Sequence, residues 1–240
     1  MSSYPFISLV IPCFNERSRW ARLQEGVMAF SACWPGQFEL ILVDDGSTDG
    51  GLMDWENPAA WGEIPFSVKV IKQANTGKGG ALKLGVLAAS GEFVLTLDAD
   101  MAALPSELLW WLERRGRFYE KEILIGSREM NDSVVDDSFK RQFVGRVFNR
   151  LIRWMTGMPY KDTQCGFKLY PMSVAKLLFE QLQTPGWAHD IELLLRANRM
   201  GIAVIQMPIH WKAVAGSKIS VLRDSLVMLK ELLRIVWMRI

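Results

Sequence analysis

Phe93-Val94-Leu95-Thr96-Leu97-Asp98-Ala99-Asp100 is an apolar run closed by two alternating carboxylates. Its shortness and its β-branched and aromatic content fit a buried strand better than a helix. In open α/β sheets ligands bind beyond the carboxyl ends of strands. Two acids alternating there can hold one hard cation and, through it, a diphosphate. A D-x-D alone is a weak signal, since acids often end strands as turn formers. Its weight comes from the sequence around it.

Working outward, residues 6–13 and 38–44 read as further apolar strands, 67–73 alternates like a strand near an edge, and 123–125 is another short run. Helices fit between them at about 16–32, 78–89 and 105–119, the last with Pro105 in its first turn, where a missing N–H costs nothing. Strands alternating with helices predict an α/β fold, a mostly parallel sheet with helices on both faces. Farther on, 139–156, 171–181, 190–200 and 221–239 read as helices, and 165–170 and 202–211 as strands. The Ser-, Asp- and Asn-rich stretch 127–138 reads as a loop between two halves, 1–127 and 128–218, of a single domain 1–218. An amphipathic helix, 219–240, follows it.

Composition sets bounds on this. The chain has 240 residues, enough for one good core. Half of them are apolar and 22% charged, which excludes intrinsic disorder. A net charge of +2 does not call for nucleic acid. The three cysteines, Cys13, Cys33 and Cys165, have neither disulfide-framework nor zinc spacing and suit a reducing, cytoplasmic compartment. No signal peptide is read at the start. Every apolar stretch is broken by charge before the ~18 residues a spanning helix needs.

In the first half, strand ends carry polar residues together. Ile11-Pro12-Cys13-Phe14-Asn15-Glu16 ends one strand and Val43-Asp44-Asp45-Gly46-Ser47-Thr48-Asp49-Gly50 another. Asp44 can accept the N3–H of a uracil ring, and Phe14 can cover that ring's face. Gly46–Asp49 is a turn that also caps the next helix. Asn75-Thr76-Gly77-Lys78-Gly79-Gly80-Ala81 puts glycines and a cation at a helix start, where backbone can approach phosphate. It is not a Walker A loop.

In this order, I-P-C-F-N-E, V-D-D-G-S-T-D, N-T-G-K-G-G-A and L-D-A-D resemble the inverting, GT-A-fold glycosyltransferases of family 2. The resemblance implies that Pro12, Phe14, Glu16 and Asp44 line a nucleoside pocket, that Lys78 and Asp98 lie near ribose and diphosphate, and that Asp100, with Asp98, ligates Mg²⁺ or Mn²⁺. In the second half, Gly126-Ser127-Arg128, Asp162-Thr163-Gln164-Cys165-Gly166-Phe167-Lys168-Leu169, Asp190-Ile191-Glu192-Leu193-Leu194 and Ser217-Lys218 are similar to the dolichyl-phosphate glucosyltransferase arm of that family. That arm moves glucose from a UDP-sugar onto a polyprenyl monophosphate. Mannosyl-transferring relatives often carry Gln two residues after the D-x-D and Ser four residues after the helix arginine. Here those positions are Ala102 and Gly145. Eukaryotic members of the glucosyl arm carry an N-terminal membrane helix that is not read here, which leaves dolichyl and undecaprenyl phosphate as alternatives.

A phosphate acceptor is also consistent with elementary chemistry. Its second ionisation lies near pKa ~6, so it arrives anionic at neutral pH and needs no general base. Arg128, Arg141 and Lys218 are the cations expected to bind it; alternatively, the two arginines are solvated or pair with Asp132, Asp136 or Asp137. Asp190 is expected to contact donor hydroxyls or steer the acceptor, with helix capping as the plainer role and Glu192 as a weaker candidate beside it. His189 and His210 are assigned nothing, and Cys165 is read as a small apolar filler.

Residues 139–156 contain Lys140, Arg141, Arg146, Arg150 and Arg153 without an acid, beside Phe143, Val147, Leu151 and Met155. Residues 221–239 alternate leucines with Arg223, Lys230, Arg234 and Arg239. Basic, aromatic amphipathic helices can lie in the headgroup plane; core packing or a homo-oligomer seam is the alternative. The enzyme is therefore expected to be peripheral on the cytoplasmic leaflet. Two other functions remain open at this stage. One is a soluble transferase acting on a glycan or protein hydroxyl with Asp190 as base. The other is a non-catalytic nucleotide-sugar binder.

Overall fold

Ile7–Cys13 is an almost unbroken apolar run and forms strand β1 in the interior of the sheet. The structure is a computed structural model and describes residues 4–51, 55–214 and 221–238. A 3-10 turn at Arg17–Arg19 leads into α1 (Trp20–Cys33), followed by β2 (Phe38–Asp44), the short α2 (Pro58–Trp61) and β3 (Ser67–Lys72). Next come α3 (Lys78–Leu87), β4 (Phe93–Thr96), α4 (Glu107–Arg115) and β5 (Glu122–Ser127). The remainder is β6 (Val134–Asp136), α5 (Phe139–Thr156), β7 (Lys168–Pro171), α6 (Met172–Glu180), α7 (His189–Arg199), β8 (Ala203–Pro208), β9 (His210–Lys212) and α8 (Val221–Trp237).

Seven strands form one sheet in the order β3-β2-β1-β4-β7-β5-β8. Strands buried on both faces read as continuous apolar runs, which is why β1 and β2 are so plain in the sequence. Their alternating side chains serve two cores. Ile7, Leu9 and Ile11 join Leu40 and Leu42 in one cluster, with residues of α1 and α4. Val10, Ile41 and Val43 join the other, with α3, α6 and α7. Ile152 of α5 and Leu232 and Ile235 of α8 are also buried in this second cluster.

β1 pairs in parallel with β2 on one side and with β4 on the other. The connections thus leave in opposite directions and open a crevice above the carboxyl ends of β1 and β4, the position where open sheets bind ligands. The sheet is mixed, because β7 runs antiparallel to both β4 and β5. Two expectations need correcting. The strand expected over 202–211 breaks at Ile209 into β8 and β9, and the stretch 127–138 is not all loop: it carries β6, which pairs with β9 in a separate two-stranded sheet.

Candidate active site

Beyond β2, Asp45 organises the neighbouring loop. Its carboxylate accepts the backbone N–H of Thr76 and of Gly77, each at 2.8 Å, and the Gln73 amide at 2.6 Å. That places Lys78 at the first turn of α3. Asp44 accepts the Ser47 N–H at 3.0 Å from the end of its strand. Asn15 holds the end of β1 to the same turn: its N–H donates to Ser47 Oγ, and its side-chain oxygen accepts the Thr48 N–H. Phe14 therefore stands at the crevice edge, 40% exposed, next to Pro12 and close in sequence to Glu16, which pairs with Arg19. The helix expected to be capped by the 46–49 turn falls partly on 52–54, outside the described residues; Asp49 instead accepts the N–H groups of Arg17 and Gly51.

The D-x-D lies just past β4. Lys78 Nζ meets Asp98 Oδ1 at 2.5 Å. Burial alone would lower the Lys78 ammonium, but Asp98, Asp190 and Asp100 outweigh it and hold the group above its usual value. Asp98 keeps 38% of its side chain exposed and so stays reachable from the crevice. Asp100 accepts the Ala102 N–H at 3.0 Å. Its carboxyl is pushed up by burial and by the neighbouring Asp98 charge, against the pull of the Ala102 N–H, Arg19 and Lys78. Two hard oxygen donors crowded in this way fit Mg²⁺ or Mn²⁺, which are commonly held by one or two carboxylates with substrate phosphates and water completing the sphere. Among the described residues no third His, Cys, Asp or Glu joins them.

The glycines of the 77–80 loop serve a purpose that the sequence reading did not foresee. A Cβ on Gly77 would lie 2.7 Å from the Pro185 carbonyl, and one on Gly79 would lie 2.6 Å from His189 Cβ. Their smoothness admits the 184–189 turn, and Gly80 N–H donates to Pro185 O at 3.0 Å. This contact brings the second half of the chain against Lys78, whose ammonium also lies 5.6 Å from the Trp187 ring. Gly166 has a similar purpose: a Cβ there would lie 2.5 Å from Asp98 Oδ2.

Asp190 sits in the first turn of α7, but capping is not its role. Its Oδ1 pairs at 2.7 Å with Lys168 Nζ, a fully buried lysine on β7 that also donates to the Cys165 carbonyl. Burial would raise the Asp190 carboxyl; His189, Lys168 and Lys78 outweigh it and hold it below the ordinary value. His189 is 1% exposed, its Nδ1 lies 2.9 Å from the Gly186 carbonyl, and burial pushes its pKa down. Its Nε2 has no hydrogen-bond partner and lies 3.5 Å from Asp190 Oδ1. Glu192 is structural: it accepts the N–H groups of Gln183 and Thr184 and pairs with Arg196.

Arg128 pairs with none of Asp132, Asp136 or Asp137. It grips Asp162 through Nε at 2.8 Å and a terminal nitrogen at 3.0 Å, its backbone N–H donates to the same carboxylate, and its guanidinium lies 5.4 Å from the Trp211 ring. Burial opposes the charge on both partners, yet each holds the other ionised: Arg128 is raised and Asp162 lowered. Arg141 belongs to α5, but its side chain is not among those described, and Lys218 lies outside the described residues. The crevice thus brings together Asp98, Asp100, Lys78 and Asp190. Sequence reasoning missed Asp45, Asp162, Gly166, Lys168 and His189. One signal was available, a lysine inside the apolar strand Phe167-Lys168-Leu169-Tyr170.

The chain is 31% identical to the dolichyl-phosphate beta-glucosyltransferase of Saccharomyces cerevisiae over 95% of its own length and 73% of that protein. It is 32% identical to the protein of the same name from Drosophila melanogaster, over 97% of this chain and 74% of that one. Among solved structures it resembles glucosyl-3-phosphoglycerate synthase from Mycobacterium tuberculosis in complex with Mn²⁺, UDP and glucosyl-3-phosphoglycerate, with a TM-score of 0.69 at 20% identity over 97% of this chain and 78% of that one. At that identity the likeness speaks for the GT-A-like fold. The model of the family described as glycosyl transferase family 2 matches residues 8–179, and the chain belongs to that family.

Proposed function

We propose that the protein is an inverting, Mg²⁺- or Mn²⁺-dependent hexosyltransferase that moves glucose from UDP-glucose to a polyprenyl monophosphate, dolichyl or undecaprenyl, at a membrane surface. The observation that carries the reading is the pairing of Asp190 with buried Lys168. A carboxylate held low by a buried ammonium is a poor proton acceptor for a sugar or protein hydroxyl. The site therefore suits an acceptor that brings its own negative charge. A phosphate monoester does so at neutral pH. Its oxygen forms the new bond to the anomeric carbon while the bond from that carbon to the diphosphate oxygen breaks and UDP leaves with the electron pair. Attack from the opposite face inverts the centre, and no proton transfer is needed.

In this reading residues 1–218 are one catalytic domain, with the donor held by 1–127 and the acceptor by 128–218. Pro12, Phe14, Glu16 and Asp44 receive the nucleoside. Asp98 and Asp100 hold the cation, which when bound neutralises the leaving diphosphate. Lys78 faces the same diphosphate, and Asp190 accepts from donor hydroxyls. Arg128, its inner edge fixed by Asp162, presents the rest of its guanidinium to the acceptor phosphate with Arg141 and Lys218. The printed names of the curated relatives agree with such an acceptor.

The lipid is reached from its headgroup. No helix among the described residues is long and apolar enough to cross a membrane. Phe139, Phe143, Val147 and Trp154 nevertheless stand on the outer side of α5, at 76%, 58%, 50% and 83% exposure. The apolar row expected along this helix is thus outward over its first half, and Ile152 is turned into the core. With Arg146 and Arg150 beside it, that face suits an anionic lipid surface on the cytoplasmic leaflet.

The test is UDP release from a panel of UDP-sugars, with Mg²⁺ or Mn²⁺, with and without polyprenyl phosphate. UDP-glucose turnover that rises with the lipid, and a glucosylated lipid extractable into organic solvent, is the expected result. Turnover with a glycan hydroxyl but not with the lipid would overturn the reading, as would UDP binding without any turnover.

A further inference from the structure

The N-cap position of α7 is Ala188, whose side chain cannot cap a helix, and no side-chain cap is formed there from within the segment. A capping oxygen comes instead from α8. Glu231 Oε2 accepts the Ala188 N–H at 3.0 Å. The approach depends on Gly186, where a Cβ would lie 2.1 Å from Glu231 Oε1. A carboxylate at a helix start is favoured by the exposed amides and by the macrodipole. Here it is delivered across 43 residues of sequence rather than from the neighbouring turn.

The turn it grips belongs to the crevice. Between Gly186 and Ala188 stands Trp187, whose ring lies near the Lys78 ammonium. The Gly186 carbonyl accepts from His189, and Asp190 follows. On its other side the turn is fastened by Gly80 to Pro185. Only Glu231 ties it to the terminal helix among the hydrogen bonds described for 184–190.

α8 itself is two-faced. Leu232 and Ile235, which follow the glutamate along the helix, are fully buried in the second core cluster. Val227, Leu233 and Trp237 are 47%, 45% and 84% exposed on the outer side, together with exposed Lys230 and Arg234. An outer face of large apolar and cationic side chains fits an anionic lipid surface.

We propose that Glu231 is a positioning residue that couples the seating of α8 on lipid to the turn carrying Trp187, His189 and Asp190. This inference rests on the membrane-surface reading given above. Lipid contact on the outer face holds α8 in place, and through Glu231 it holds the 186–190 backbone against Lys78. Off the membrane the turn opens more often and the site is less well assembled.

The test is backbone hydrogen exchange of the full chain, alone and with vesicles of phosphatidylglycerol and phosphatidylethanolamine, in wild type, Glu231→Ala and Glu231→Gln. Wild-type vesicles should slow exchange at 186–191 about five- to tenfold, a cap's worth of protection. Glu231→Ala should raise exchange there without lipid and lose the vesicle effect, while the β1 amides stay protected. Glu231→Gln, which keeps an acceptor oxygen, should fall between. UDP-glucose turnover should show kcat reduced in Glu231→Ala, with part of it recovered in Glu231→Gln. Equal vesicle protection in wild type and both variants would overturn the proposal, as would exchange raised uniformly through the chain. If wild type turns over no donor at all, the enzymatic reading fails while the exchange data still decide the role of Glu231.

Discussion

The two halves of the crevice hold their charges by different means. Around β1, β2 and β4 the acids are held by backbone amides: Asp44 by Ser47, Asp45 by Thr76 and Gly77, Asp100 by Ala102. Around β5, β7 and α7 each has an opposite charge as well: Asp190 is held by Lys168, and Asp162 and Glu192 by Arg128 and Arg196 alongside backbone amides. An amide leaves a carboxylate its full charge and spare lone pairs, free to meet a cation. A buried ammonium or guanidinium uses that charge up and fixes the group in place. The first half is therefore built to receive something positive, and the second is internally neutral where it is most buried. Lys78 and Asp98 join them, an ion pair partly open to the crevice.

The comparison can be broken at several points. The largest effect should come from Asp100→Ala, which removes half of the proposed cation-holding pair. We expect UDP release to drop about 1,000-fold, roughly 4 kcal/mol of transition-state stabilisation, with little change in the urea midpoint. A drop in stability without loss of turnover would place Asp100 in the fold rather than in the chemistry. Lys168→Met tests the other half. It leaves Asp190 buried and uncompensated, at an expected cost of about 3–5 kcal/mol in denaturant unfolding. The double variant Lys168→Met/Asp190→Leu should regain most of that stability while staying inactive, because the pair contributes less to stability than either orphaned charge costs. If the single variant proves as stable as wild type, the pair is not the support described.

Gly166→Ala probes the seam between the halves. The added methyl would displace the Asp98 carboxylate, and a shift of about 1 Å at a reacting site costs on the order of 100-fold in turnover. Steady-state kinetics should show this loss with a normal thermal midpoint; unchanged kinetics would mean that Asp98 has room to spare.

The smallest effect, and the sharpest in sign, is the pH dependence of stability. Asp162 and Asp190 are held below their ordinary 3.8. The unfolded chain therefore binds more protons than the folded one between the two values. Their stabilisation is complete above the unfolded value and is lost as pH falls through the folded one. Asp100 is held above 3.8, so its contribution runs the other way: stability declines as pH rises through the raised value. Urea unfolding across the acid range should show a shallower acid loss in Asp162→Asn and the removal of the opposing slope in Asp100→Asn. The same slope in Asp100→Asn as in wild type would remove the burial argument for that residue.

Much of the amide-held half was legible in the sequence. Strands with both faces buried appear as unbroken apolar runs, and the acids that follow them sit within a few residues of the amides that hold them. The strand ends bearing Phe14, Asp44, Asp98 and Asp100, and the helix start bearing Lys78, read from the sequence as one edge of the sheet. Asp45 was passed over, although it stood beside Asp44, because its partners at 76 and 77 lie on another strand's loop. The ion-paired half was legible as motifs but not as contacts. Arg128 was expected to bind the acceptor phosphate, with acids nearby in sequence as the alternative partners; the carboxylate it grips, Asp162, lies 34 residues away. Lys168 was quoted within a motif and given no role, since only the antiparallel placement of β7 turns it toward α7.

The sequence by itself determined most strands and helices and the carboxylates at the sheet's edge, because periodicity, turn chemistry and capping act over a few residues. Only the tertiary structure decided what those charges do. It set an antiparallel strand between β4 and β5, cleared space with Gly77, Gly79 and Gly166 for the chain's second half, and chose Lys168 for Asp190 and Asp162 for Arg128. Partner choice among buried charges depends on distance and desolvation in three dimensions, and neither is written in the spacing of residues along the chain.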